Sequence, residues 1–234
     1  MNTTNVERLR GGLVVSCQAP ADSPLADPNI IAALALAAEQ NGAVGVRINS
    51  AEHVAATRER VTVPIIGIAK IVTPESEVYI TPTFSAAERL AESGADIIAL
   101  DATQRLRPGG EILATLMRRV QSELRLPVMA DVATFEEGLL AADCGADIVA
   151  TTLCGYTAET RGTALPALAL LERLATRLTV PIICEGGVAS PEQLRQAFAC
   201  GAYAVVVGTA ITGVGQLVQS FVAATSAAAQ AQGR

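Results

Sequence analysis

The sequence predicts a closed parallel (β/α)8 barrel, the α/β TIM-barrel architecture. Three observations predict it. Two kinds of punctuation alternate along the chain, and together they mark eight short apolar runs. Half of the 234 residues are hydrophobic but only 3% are aromatic, so the core is built from Ala, Val, Ile and Leu. That composition suits parallel strands buried on both faces and covered by helices. Nearly every run also ends in a polar or charged residue, as the catalytic end of a barrel requires.

The first run is Leu13 to Cys17. Four more follow a Gly-Ala step: Gly42-Ala43-Val44-Gly45-Val46, Gly94-Ala95-Asp96-Ile97-Ile98, Gly145-Ala146-Asp147-Ile148-Val149 and Gly201-Ala202-Tyr203-Ala204-Val205. Each comes after an Ala/Leu/Glu-rich stretch of helical spacing. The glycine supplies the left-handed residue that ends the helix, and the run after it is a strand. The other three open on proline: Pro64-Ile65-Ile66, Pro127-Val128-Met129 and Pro181-Ile182-Ile183. Proline is tolerated as the first residue of a strand. Eight strands separated by helices imply right-handed crossovers and a parallel sheet. The even repeat favours closure over an open sheet, whose edge strands break such a pattern. One barrel is expected over residues 1–222, with a short N-terminal helix, followed by an Ala/Gln-rich tail over 223–234.

A net charge of -6 and a pI near 4.9 leave no basic stripe for nucleic acid. No stretch approaches the length of a membrane span, and Met1 to Arg10 lacks the apolar core of a signal peptide. Five cysteines without C-x-x-C spacing read as free thiols in the cytoplasm. His53 is the only histidine, set at a helix start and expected to be exposed, so a zinc site is not expected.

The strand ends, in order, are Gln18, Arg47, Lys70, Asp101, Asp131, Thr151-Thr152, Glu185 and Gly208. A single polar residue there means little, because strand-to-loop junctions are wet; a whole ring is informative. Lys70 is the only lysine, whereas 16 basic residues are arginine. Arginine is never deprotonated, but a buried lysine can be, so Lys70 is a candidate base or amine nucleophile. Burial and nearby Arg47 are expected to lower its pKa, and Glu185 to oppose them. Glu185 would be costly inside the barrel mouth unless it has a task. Strands three and seven lie opposite each other in an eight-stranded barrel, so Lys70 and Glu185 can reach one ligand from two sides. That suits proton movement next to a carbonyl. Asp101 and Asp131 either position hydroxyls or brace neighbouring cations. Gly186-Gly187 after the seventh strand, then Ser190-Pro191 opening a helix, and Gly208-Thr209 after the eighth form a candidate phosphate cradle. Gln193 is placed to complete a capping box with Ser190.

These residues sit in longer blocks. They include Gly12 to Ala19, Gly67-Ile68-Ala69-Lys70, Tyr79-Ile80-Thr81-Pro82-Thr83, Leu100-Asp101-Ala102-Thr103 with Arg107-Pro108, Ala130 to Gly138, Thr151 to Thr157 and Glu185-Gly186-Gly187. With these blocks the chain resembles the N-acetylmannosamine-6-phosphate 2-epimerase family of sialic acid catabolism over nearly its whole length. The resemblance implies interconversion of N-acetylmannosamine 6-phosphate and N-acetylglucosamine 6-phosphate without a metal or organic cofactor. It implies chemistry at Lys70 and Glu185, with Gln18, Arg47 and Asp131 around the sugar; Thr152, at the end of the sixth strand, is a further candidate for substrate binding. A homodimer is compatible with the resemblance alone. Two departures stand out. Ile71-Val72-Thr73 replaces the Arg-Asp-Tyr that often follows the family lysine, and Gly213 replaces an arginine in the last phosphate loop. The residues also leave open a Schiff-base aldolase with Lys70 as nucleophile, and a non-catalytic sugar-phosphate binding barrel.

Overall fold

The structure, a computed structural model, describes residues 4–232, with side chains described as far as residue 225. Eight parallel strands close in sequence order: β1 (Leu13–Cys17), β2 (Gly45–Asn49), β3 (Ile65–Ile68), β4 (Ile97–Asp101), β5 (Val128–Asp131), β6 (Ile148–Ala150), β7 (Ile182–Cys184) and β8 (Ala204–Val207). Closure is carried by β1 and β8, which pair Leu13 with Val205 through Val15 with Val207. The expected barrel is the one observed.

The helices are α1 (Thr4–Glu7), α2 (Pro28–Gln40), α3 (Ala51–Arg58), α4 (Phe84–Glu92), α5 (Leu113–Arg119), α6 (Phe135–Asp143), α7 (Leu168–Arg177), α8 (Pro191–Ala199), α9 (Thr209–Thr212) and α10 (Val214–Gln232). One turn of π-helix, Val120–Leu124, extends α5. Among the described residues no helix is long and apolar enough to cross a membrane.

The Gly-Ala repeat has one structural cause. Gly42, Gly94, Gly145 and Gly201 all have φ between +92° and +97° and end α2, α4, α6 and α8. The alanine after each donates its N–H back five residues, as Ala43 does to the Ala38 carbonyl and Ala146 to the Ala141 carbonyl. This helix stop satisfies a terminal carbonyl and turns the chain into the next strand. Helix starts are capped by Asp27, Thr83, Thr134 and Ser190. At α8 the Gln193 side chain accepts from the Ala189 N–H, one residue before the capping-box target expected of it. His53 is half-buried rather than exposed, and its backbone N–H is held by the Ser50 hydroxyl that caps α3.

Strand parity divides the core. Val14, Ile66, Ile68, Ile97, Ala99, Met129, Ile148 and Val206 fill the barrel, while Val15, Ile98, Leu100, Val149 and Val205 meet the helices. Alternation along each strand makes this division. The inward set continues upward into Ser16, Gln18, Arg47, Asp101, Asp131, Thr152, Glu185 and, past β3, Lys70. The expected boundary at 222/223 falls inside α10, whose described side chains are all exposed.

Candidate active site

Arg47 is the centre of the mouth. It comes from β2, is 1% exposed, and holds two carboxylates at once. Its Nη2 donates to Asp131 Oδ2 at 2.6 Å and its Nη1 to Asp131 Oδ1 at 3.1 Å. The same Nη1 donates to Glu185 Oε2 at 2.6 Å. Thr152 Oγ1 sits 2.6 Å from Asp131 Oδ1 and 3.3 Å from Glu185 Oε2. Thr151 Oγ1 donates to the Glu185 carbonyl and accepts from its N–H, which fixes the backbone that carries Glu185. β2, β5, β6 and β7 thus converge on one charged knot. Asp131 braces Arg47 and also accepts from the Thr152 hydroxyl. Asp101 likewise braces Arg105, at 2.7 Å, and Thr103.

The electrostatics follow from burial. Two carboxylates compete for one guanidinium. Desolvation, joined by the Asp131 charge, pushes the Glu185 carboxyl up to about 7 against the pull of Arg47. Glu185 therefore stands near the middle of its titration at neutral pH. Lys70 is exposed at the rim of the mouth. Desolvation first, and then Arg47, lower its pKa, while Glu185 and Asp131 oppose them. This is the balance of causes expected of it. Its amine forms no ion pair within the 4.0 Å contacts of the described residues, and its backbone N–H is held by Asn49 Oδ1 at 2.8 Å.

Glu185 makes stability depend on pH, and the sign is fixed. The folded state holds the Glu185 proton to about pH 7, whereas the unfolded chain releases it near about 4.3. Its stabilising contribution is full below the lower value and is lost as pH rises through the higher one. Glu185→Gln is expected to remove that slope, about 1–3 kcal/mol between pH 4.5 and 7.5, read by chemical denaturation at several pH values.

Gln18 donates to Ser16 Oγ at 2.6 Å and leaves its buried Oε1 without a partner. Gly186 and Gly187 follow β7 at φ 104° and 70°. Gly208 and Thr209 open α9 after β8. At Gly213 a Cβ would stand 2.6 Å from the Thr209 carbonyl oxygen. The turn that ends α9 is thus shaped for glycine, and an arginine there would need a different backbone. Asn49 escaped the sequence reading, although its parity matches that of Arg47. An open cavity of about 610 Å³ at the other end of the barrel, lined by Arg10, Asp147 and Tyr203, contains no comparable cluster.

Residues 31–227 match the family model described as "Putative N-acetylmannosamine-6-phosphate epimerase". The chain belongs to this family. A relative from Synechococcus elongatus, named "Putative N-acetylmannosamine-6-phosphate 2-epimerase", is 54% identical over 95% of this chain and 97% of its own. One from Caldanaerobacter subterraneus, of the same name, is 43% identical over 93% and 92%. The solved N-acetylmannosamine-6-phosphate 2-epimerase from Clostridium perfringens superposes with a TM-score of 0.90 at 39% identity, covering 93% of this chain and 94% of that one. Family and fold thus agree over nearly the whole of this length.

Proposed function

We propose that the chain is an isomerase that inverts C2 of N-acetylmannosamine 6-phosphate to give N-acetylglucosamine 6-phosphate, a step in sialic acid breakdown. One observation carries the reading: an amine of lowered pKa and a carboxyl poised near neutrality share a mouth with one buried arginine. The sugar reacts as its open-chain aldehyde, whose carbonyl acidifies the C2 proton. Lys70 takes that proton as base. The charge that develops on oxygen is met by the preorganised Arg47 guanidinium. Glu185 supplies or accepts a proton at oxygen or at the opposite face of C2, and return of a proton to that face completes the inversion. No cofactor is invoked. Asp131 and Thr152 hold Arg47 and Glu185 in place beside the sugar. Gln18 offers its free oxygen to a substrate N–H or O–H. The phosphate rests against the backbone N–H groups of Gly186, Gly187, Gly208 and Thr209, without an arginine from position 213.

Proton NMR with N-acetylmannosamine 6-phosphate in deuterated water tests this. Loss of the C2 signal together with appearance of the other epimer is expected. Tight binding without exchange would instead mean a binding barrel.

The working unit is a homodimer in the cytoplasm. Its cysteines are free thiols. No charged residue occurs from 214 to 232, and Leu217, Val218 and Phe221 of α10 are exposed. A second copy offers the same apolar helix, so the contact is self-complementary about a two-fold axis. Phe221→Glu is expected to halve the mass seen by sedimentation; an unchanged mass would refute this contact.

A further inference from the structure

β3 and β4 pair in register only at Ile66 with Ile97 and at Gly67 with Ile98. Continued upward, that register sets Lys70 beside Asp101, one strand spacing or about 4.8 Å away. The chain prevents this. After Lys70 it makes a short excursion and returns as Tyr79, Ile80 and Thr81, which enter between the two strands. Ile71 N donates to the Tyr79 carbonyl at 2.9 Å, and Thr81 N donates to the Ala69 carbonyl at 2.8 Å. Lys70 and Ile80 form an antiparallel bridge. On the other side Asp101 N donates to the Ile80 carbonyl at 2.9 Å. The Ile80 side chain joins the apolar filling of the barrel.

Thr81 fixes the insertion. It is wholly buried, with φ of 44°. Its Oγ1 accepts from Ala69 N at 3.1 Å and donates to the Ala99 carbonyl at 2.6 Å, so one hydroxyl bridges the parted strands. A β-branched residue in the left-handed region is strained, so the position is held by its surroundings.

We propose that the segment Tyr79–Thr81 is a spacer that holds the Lys70 amine away from the Asp101 carboxylate, with Thr81 as the positioning residue that keeps β3 and β4 apart. The consequence for catalysis rests on Lys70 being the base. The groups facing the Lys70 side of the mouth are Arg47 on β2, Asp131 on β5, Glu185 on β7 and Tyr79 in the spacer. Asp101, on β4 behind the spacer, is matched by Arg105 and Thr103. A carboxylate against an amine stabilises the ammonium form and would keep a base protonated. The charges that bear on Lys70 are those of Arg47, Glu185 and Asp131.

Because Lys70 is the only lysine, protein labelled with 13C at lysine Cε reports its titration directly by NMR. Asp101→Asn should leave the Lys70 midpoint where it is. Thr81→Val, which keeps the shape and loses the hydroxyl, should raise it by about one unit as the strands close. Adding Asp101→Asn to Thr81→Val should reverse that rise, and Thr81→Ser should behave as the natural chain. The value of kcat should fall in Thr81→Val with KM little changed. A fall of about one unit in Asp101→Asn alone, or an unmoved midpoint in folded Thr81→Val, would overturn the proposal. If Thr81→Val does not fold, the Asp101→Asn titration decides alone. The titration reads the amine and not turnover. A Lys70→Ala protein that still exchanged the C2 proton would remove the base assignment and leave the spacer standing.

Discussion

Lys70→Ala will abolish exchange of the substrate C2 proton with deuterated water while the barrel stays folded. The loss should be about 10²–10⁴-fold or more, the usual worth of a positioned general base. No second amine or imidazole is at hand to replace it. The chain has no second lysine and its one histidine, His53, lies on α3, outside the mouth. Glu185 is tied to Arg47. The fold should survive because the Lys70 side chain makes no ion pair with Arg47, Asp131 or Glu185, and only its backbone N–H is engaged, by Asn49. Unchanged circular dichroism with lost exchange is the expected pair of results. Residual exchange at the natural rate would move the base role elsewhere. Borohydride trapping of a substrate adduct on Lys70 would favour the aldolase reading instead.

Arg47→Met is expected to be the most destabilising single change in the mouth. Methionine fits the space of the arginine stem but leaves Asp131, which is fully buried, and Glu185 without their shared cation. Removing one partner of a buried ion pair costs about 3–5 kcal/mol, mostly because the remaining charge is stranded. For a chain of this length that is a fall in Tm of about 10 °C or more. The pKa of Glu185 should also climb further, since Arg47 is the main influence holding it down. Restoration of stability by adding Asp131→Asn would show that the stranded carboxylate, and not lost packing, is the cause. A Tm within 2 °C of the natural protein would contradict this account of the knot.

Local chemistry explains why so much of the fold was legible. The left-handed glycines Gly42, Gly94, Gly145 and Gly201 are needed to stop four helices, and each leaves a mark that recurs with the barrel period. The prolines mark strand entry at 64, 127 and 181 for an equally local reason. Strand ends then place Arg47, Lys70, Asp131 and Glu185 at one rim by counting alone. The departure at Gly213 was visible as a missing arginine, but its cause was not. Only the folded turn shows that a Cβ would meet the Thr209 carbonyl. A position at a helix start predicts an exposed His53, and the folded chain half-buries it.

What no pattern announced is who holds whom. The sequence by itself determined the eight-fold strand count, the polar ring at the strand ends, the uniqueness of Lys70 and the family. Those depend on backbone dihedrals and residue identity, which act over a few positions. Tertiary structure alone decided that Arg47 would clasp Asp131 and Glu185 together, across 84 and 138 residues of chain. It also decided that Tyr79–Thr81 would part β3 from β4. These arrangements are settled by competition among buried charges and unpaired backbone groups for the few partners within reach. That competition has no period in the sequence, because its distances exist only after the barrel closes.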